Sequence, residues 1–238
     1  MKDAIRHNFD LSPDAYGEYE RMTGRFGTLA DRLYEAMRAR SSTPIRSYLD
    51  AGAGSGISTR RLLASGCSPV ALDLSRSMLL ENPADHRVQA DFDTLPFAAD
   101  TFDAVAFTAS LFLTPEPDRA AREARRVLRS GGVVGAVAPI GWTATDGSDV
   151  FEPLDRQSRS PTGAEAVGDA LRLSFSVEHG RWTFETTAEN LRALHAIPAM
   201  AARLYPRLSP KERIERAQTL LADVDGPLEQ HWRWFVGV

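Results

Sequence analysis

From residue 45 to 138 the chain alternates short apolar, β-branched runs with helical stretches, and this alternation narrows the possible folds more than any other feature. Strand-like runs fall at 45–50, 70–73, 87–90, 104–108 and 132–138. Helical patterns at 58–65, 75–81 and 117–128 lie between them. Short strands that are apolar on both sides need cover on both sides, so the pattern predicts βαβ units and a doubly wound, mostly parallel α/β sheet. Gly131-Gly132, after Val127-Leu128-Arg129, predicts the end of the last of these helices and the entry to a buried strand.

The flanks read differently. Segment 13–40 is predicted helical, with Ser12 as cap, Pro13 at the first position and Leu29, Leu33, Ala36 and Met37 at helical spacing. Ser41-Ser42-Thr43-Pro44 stops it. Beyond Trp142, 143–160 is polar and reads as a loop, and 164–172 as a helix. Residues 175–178 and 181–185 alternate like a hairpin turning at His179-Gly180. Segments 188–204 and 209–222 read as helices separated by Tyr205-Pro206, with Pro198 kinking the first. A strand at 232–238 places Trp232 and Trp234 on one side. The expected organisation is one domain: a helical cover at 1–44, a core at 45–140, a substrate and lid region at 141–230, and a final strand at 231–238.

Composition sets limits. The 238 residues are 43% apolar and 25% charged, which excludes a disordered chain and provides enough for a full core. A net charge of −4 argues against an electrostatic nucleic-acid grip. Lys2 and Lys211 are the only lysines, so arginine carries nearly all the positive charge, which codon bias explains. The single cysteine, Cys67, rules out an internal disulfide and a multi-cysteine metal site. Residues 1–7 lack the apolar run of a secretory signal, and the apolar runs 105–113 and 132–142 are too short to span a bilayer. A cytoplasmic protein without membrane, nucleic-acid or metal partners is expected. Its oligomeric state is left open.

The chemistry concentrates where the first strand meets its helix, at Leu49-Asp50-Ala51-Gly52-Ala53-Gly54-Ser55-Gly56. Glycines there let the chain turn tightly and bring backbone amides close to a ligand. The spacing is Gly-x-Gly-x-Gly, unlike the Gly-x-Gly-x-x-Gly of dinucleotide binders. Asp50 precedes the first glycine, where an anion would repel a pyrophosphate but suit an ammonium group. Asp73 ends the next strand, 21 residues after Gly52, where a ribose diol is usually held. Asp91, followed by Phe92, ends the strand after that. Any one of these acids could be a solvated loop residue. Three at consecutive strand ends point to a ligand crevice.

These segments resemble class I S-adenosylmethionine-dependent methyltransferases of the small-molecule branch. LDAGAGSG at 49–56 is similar to their glycine motif, and ALDLSRSML at 71–79 to their second-strand acid motif. QADFDTLPFAADTFDAV at 89–105 resembles the adenine-binding turn with the fourth strand, and VLRSGGVV at 127–134 the entry to the fifth. The resemblance implies a Rossmann-like fold and S-adenosyl-L-methionine as cofactor, with S-adenosyl-L-homocysteine as product. It also implies that Gly52, Gly54 and Gly56 pack under the methionine part, with Asp50 near its ammonium group, directly or through water. Asp73 would take both ribose hydroxyls, and Leu74 and Met78 would flank the adenine. Asp91 would accept from the exocyclic amine, covered by Phe92. Thr108 and Ala109 would lie under the sulfonium. Upstream, Tyr19-Glu20-Arg21-Met22-Thr23-Gly24-Arg25-Phe26 resembles a segment in which Tyr19 would close over the cofactor and Arg25 would pair its carboxylate.

Methyl transfer is an in-line displacement for which alignment and exclusion of water do most of the work. No general base is assigned. Thr108-Ala109-Ser110-Leu111 departs from the Asn/Asp-Pro-Pro-Tyr/Phe pattern of enzymes acting on planar amide or adenine nitrogens. His179, His195, His231, Glu152 and Asp155 stay uncommitted, and no metal-ligand spacing occurs. Trp142, Trp182, Phe184, Leu194, Ile197, Met200, Leu204 and Tyr205 either shape an apolar acceptor pocket or simply pack a lid. The expected activity is methyl transfer to an O, N or C atom of a small organic molecule. The alternatives are a cofactor-binding regulatory or scaffold protein without transfer activity, and a methyltransferase of a macromolecule. The glycine spacing and Asp91 count against a nicotinamide dehydrogenase.

Overall fold

The computed structural model describes residues 2–154 and 163–238. Its strands are β1 (Ser47–Ala51), β2 (Ser68–Asp73), β3 (His86–Gln89), β4 (Phe102–Thr108), β5 (Leu128–Ala144), β6 (Val177–Thr187) and β7 (Pro227–Gly237). Its helices are α1 (Lys2–Asp10), α2 (Pro13–Thr23), α3 (Arg25–Arg40), α4 (Ile57–Ala64), α5 (Arg76–Leu80), α6 (Pro117–Val127), α7 (Ala164–Arg172), α8 (Ala188–Ala196), α9 (Pro198–Leu204) and α10 (Pro210–Leu220). The strands form one sheet in the order β3-β2-β1-β4-β5-β7-β6. The neighbours from β3 to β5 pair in parallel. β7 then runs antiparallel between β5 and β6.

The predicted Rossmann-like α/β class holds because the central strands carry apolar residues on both faces. Leu49, Ala104, Val105, Ala106, Phe107, Val133 and Val134 are all fully buried. Leu33 and Met37 of α3 press onto Gly135, where an added Cβ would lie 2.4 Å from the Met37 sulfur. Phe235 of β7, opposite Ala136 and therefore on the other face, receives Gly168 of α7. Each face of the sheet thus has its own helix, and side-chain size sets the spacing.

The 13–40 helix is two helices. Gly24 adopts φ +57, its N–H closes α2 on the Glu20 carbonyl, and α3 starts in a new direction. The Glu20 carboxylate accepts from the Phe26 and Gly27 amides at 2.8 and 2.9 Å, and the Thr23 hydroxyl from the Arg25 amide at 3.2 Å, serving the start of α3 where the cap residue itself, Gly24, has no side chain. α1 was not foreseen, because its polar sequence carries only a thin apolar stripe of Ile5 and Phe9.

Three further expectations need correction. The hairpin at His179-Gly180 is a continuous strand, β6, paired with β7 along its length. Gly180 faces Trp234, whose indole would lie 2.7 Å from an added Cβ; the glycine makes room for a ring and turns nothing. Gly131-Gly132 does not open the fifth strand. Pairing already starts at Leu128, and the glycines sit in an irregularity before Val133, with Gly131 at φ +77. The loop expected at 143–160 loses Thr143 and Ala144 to β5, and its residues 155–160 lie outside the described part. Pro198 divides its helix as expected, giving α8 and α9. Trp232 and Trp234 share the α3 face, Trp232 against Phe26 and Trp234 stacked on Trp182.

A second apolar cluster sits beside the sheet. Leu191, Leu194, Ile197, Met200, Leu204 and Leu221 of the α8–α10 layer pack with Trp142, Leu228 and Tyr19. Thr187 caps α8 through the Asn190 amide, and a Ser209/Glu212 capping box starts α10. No described helix is long and apolar enough to cross a membrane.

Candidate functional site

The ends of β1, β2 and β4 open into one cleft, roofed by α1 and α2, with a volume of about 930 Å³ including its mouth. The glycine turn shapes its floor. Gly52, at φ +78, donates to the Leu72 carbonyl at 2.7 Å, and Ser110 Oγ donates to the Ala51 carbonyl at 2.6 Å. A Cβ on Gly52 would come within 2.4 Å of Ser110 Cβ, so the two loops touch only because Gly52 is bare. Gly54, at φ +53, aims its N–H at Asp73 Oδ2 from 2.8 Å. Gly56 is different: it leaves the cleft, and its φ of +89 and a 2.3 Å approach to Pro83 make it a packing residue.

Asp73 stands at the centre of the wall. Its Oδ1 accepts from the Ser75 amide at 2.8 Å while Oδ2 takes Gly54, so the carboxylate is fixed before any ligand arrives. Burial pushes its carboxyl up to about 6, against the downward pull of the Ser75, Gly54 and Leu74 amides. Leu74 and Met78 continue the wall as apolar surface. Asp91 and Phe92 lie opposite, with Phe92 held edge-on by Phe107 at 5.5 Å. Lys2 of α1 bridges Asp91 and Asp93, both at 2.5 Å, and so pins the roof to the cleft. Thr108, Ala109 and Ser110 close the far end. Ala109 takes φ +57, an uncommon setting for a residue with a side chain.

Asp50 does not line this cleft. It is fully buried behind the glycine turn, where Oδ2 accepts from Ser58 and Thr59 hydroxyls at 2.7 and 2.8 Å and ties α4 to β1. Burial pushes its carboxyl up to about 6, and Oδ1 has no hydrogen-bond partner among the described residues. Tyr19 and Arg25 also lie away from the cleft, contrary to expectation. Tyr19 is 2% exposed and packs on Phe26 within the second cluster. Arg25 is drawn off by the Phe184 ring, 3.9 Å away, and by the Glu185 carbonyl at 3.5 Å. Tyr16 and Phe26 occupy the roof position instead, beside Ile5 and Phe9. Sequence reasoning missed α1 and Tyr16; the one available signal was Ile5 and Phe9 four residues apart on one helical face.

Of the uncommitted groups, His179, His195, His231 and Glu152 do not line the cleft. His231 is wedged between Thr143 and Thr183 hydroxyls at 2.9 and 3.0 Å, and burial lowers its pKa. His195 meets the Leu191 carbonyl at 2.9 Å, and His179 lies near the Phe235 ring. Glu152 is exposed, and Asp155 lies outside the described residues. The aromatic and apolar residues singled out in the C-terminal part pack into the two clusters instead of lining the cleft. Among the described residues, no cluster of His, Cys, Asp or Glu could hold a metal ion.

Comparison with known proteins bears on the family and the fold. A methyltransferase-domain family profile matches residues 49–135. The chain is 27% identical to a malonyl-acyl-carrier-protein O-methyltransferase of Enterobacter lignolyticus, over 100% of this chain and 96% of that one. It is 32% identical to the enzyme of the same name from Erwinia pyrifoliae, over 83% and 77% of the two chains. A demethylmenaquinone methyltransferase of Clavibacter sepedonicus is 36% identical over 48% of this chain and 50% of that one. Among solved structures, YcgJ of Bacillus subtilis shares the fold with a TM-score of 0.57 at 14% identity, covering 86% of this chain and 96% of that one. The cyclase SpnF does so at 0.54 and 20%, covering 87% and 80%. Likeness at that level speaks for the fold alone. With a glycine turn, strand-end acids and a near-full-length relative in agreement, the chain belongs to the class I S-adenosylmethionine-dependent methyltransferases.

Proposed function

We propose that this methyltransferase moves a methyl group to an oxygen, nitrogen or carbon atom of a small organic acceptor, and that the cleft under α1 and α2 holds the methyl donor. One observation carries the reading: a carboxylate fixed by two backbone amides faces the same cleft as a second acid and an apolar wall. That donor set fits S-adenosylmethionine. Asp73 keeps lone pairs for a ribose diol, Leu74 and Met78 offer flat apolar contact to adenine, and Asp91 with Phe92 suits its amine edge. Gly52 and Gly54 bring backbone under the methionine part, and Thr108 and Ala109 would lie beneath the sulfur. When bound, the cofactor supplies a methyl group on positively charged sulfur.

The chain's own residues contribute binding, orientation and dryness, an effect worth about 7–11 kcal/mol where alignment is good. No histidine or cysteine lines the described cleft; its titratable groups are Lys2, Tyr16, Asp73 and Asp91. The relatives that match most of the chain are named O-methyltransferases, which favours oxygen over nitrogen or carbon. A macromolecular acceptor would want arginines at the mouth, and none lines the described cleft.

The test is incubation with methyl-labelled S-adenosylmethionine and pools of organic acids, phenols and amines, following S-adenosylhomocysteine release. Label appearing in a small product is the expected result. Tight cofactor binding with no turnover in any pool would turn the reading to a cofactor-binding protein without transfer. Arg25→Ala sharpens the site assignment. It should leave S-adenosylhomocysteine affinity unchanged in calorimetry while lowering stability by about 1–2 kcal/mol through the lost contact with Phe184. A large loss of affinity would instead return Arg25 to the cofactor site.

A further inference from the structure

The α8–α10 layer contains three arginines that are neither exposed nor fully buried: Arg192, Arg203 and Arg213. Two of them serve the layer itself. Arg192 donates to the Leu221 and Val224 carbonyls, and Arg213 to the Tyr205 and Pro206 carbonyls and to Asn8. Arg203 has no hydrogen bond or ion pair among the described residues. Its guanidinium lies 4.7 Å from the centre of the Phe112 ring, in the turn that follows the cleft residues Thr108, Ala109 and Ser110. Among the described residues, Tyr16 of the cleft roof is the one group whose ionisation is coupled to that of Arg203, and burial keeps its phenol neutral, so it offers the guanidinium no counter-charge. Arg203 is half-buried, so part of its side chain stays open to solvent.

A guanidinium in such a place costs free energy unless an anion meets it. Burial pushes its pKa down to about 10, and no carboxylate among the described residues raises it back, yet it is still charged at neutral pH. A ring beneath one face leaves the donor edge free, and that edge matches a planar oxyanion with two parallel hydrogen bonds. Among the described residues lining the cleft, Lys2 is the one cation, and it is engaged by Asp91 and Asp93.

We propose that Arg203 is the specificity residue for the acceptor, binding a carboxylate or phosphate oxyanion of that molecule against Phe112 at the edge of the cleft. The inference rests on the reading of the cleft as the methyl-donor site. It narrows the acceptor to organic acids and phosphate esters. Neutral phenols and amines fall outside it.

The experiment uses the full chain loaded with S-adenosylhomocysteine, as wild type, Arg203→Lys and Arg203→Met. Each is titrated calorimetrically with succinate, inorganic phosphate and neutral succinamide. Wild type should bind one anion saturably and succinamide not at all; succinate binding marks a carboxylate acceptor, phosphate binding a phosphate ester. Arg203→Met should weaken the anion by about tenfold or more, with Arg203→Lys between, since an ammonium supplies charge without the fork. Cofactor affinity should be equal in all three. The Tm of Arg203→Met should stay level or rise, because an uncompensated cation has been removed. Failure of wild type to bind either anion overturns the proposal. So does equal anion binding by Arg203→Met, and a lowered Tm beside that result would assign Arg203 to packing on Phe112. Failure of wild type to bind S-adenosylhomocysteine overturns the donor-site reading itself, and this inference with it.

Discussion

Asp73→Ala should weaken S-adenosylhomocysteine binding by about 100- to 1000-fold, since two hydrogen bonds to a charged group contribute roughly 3–4 kcal/mol together. Calorimetry with Asp73→Asn alongside separates the two duties of the side chain. Asparagine retains an acceptor for one of the Gly54 and Ser75 amides, so the turn should survive while the charge is lost. Affinity unchanged in both variants would remove Asp73 from the site. The pH dependence follows from the same burial. With the carboxyl raised to about 6, the group protonates as pH falls through that value, and cofactor affinity should fall with it. Stability runs the other way. A carboxyl whose pKa is higher folded than unfolded lets the folded state hold more protons, so stability declines as pH rises from about 4 to about 6. Asp50 is raised in the same direction, so Asp73→Asn should reduce that decline without abolishing it, as read from urea midpoints across the range.

Gly56→Ala should destabilise the fold far more than Gly54→Ala, by about 2–5 kcal/mol. A side chain at φ +89 costs about 1–2 kcal/mol, and overpacking against the Pro83 ring adds roughly 1–3 kcal/mol. Gly54→Ala incurs only the backbone cost, because the nearest atom to its added Cβ is Met78 Cε at 3.4 Å. Urea unfolding should therefore place Gly54→Ala clearly above Gly56→Ala. Cofactor affinity should rank them in reverse among the folded molecules, since Gly54 faces the cleft and Gly56 does not. Coincident unfolding midpoints would mean that the contact with Pro83 yields freely.

The parallel half of the sheet was legible because its strands are buried on both faces and leave continuous apolar runs, as at Val105 and Val134. The antiparallel half was not. Along β6, exposed and half-buried residues alternate, and a glycine in such a run reads as a turn. Nothing local announces that Trp234, 54 residues further on, will lie over Gly180. The strand-end acids Asp73 and Asp91 were found in the cleft because their positions follow from strand register. Asp50 shares that register, but Ser58 and Thr59, in the first turn of α4, hold its carboxylate behind the turn. Arg25 illustrates a different limit. Its motif position was clear from the chain, but its direction depends on Phe184, which enters from a strand that the chain forms much later. Lys2 and Tyr16 reach the cleft through the docking of α1 and α2, a tertiary event without a local code.

β7 is threaded between β5 and β6 yet follows both along the polypeptide. While the ribosome is at work, β5 therefore has no neighbour on that side until residues 227–237 have emerged. Its Val133–Ala138 stretch, almost wholly buried in the finished sheet, spends that interval as an unpaired apolar edge. α8–α10 wait as well, since Leu228 of β7 belongs to the cluster that closes them. The half-made protein is thus a complete parallel sheet with an open seam, and that seam is where nascent chains would stick to one another and where a chaperone has most to shield.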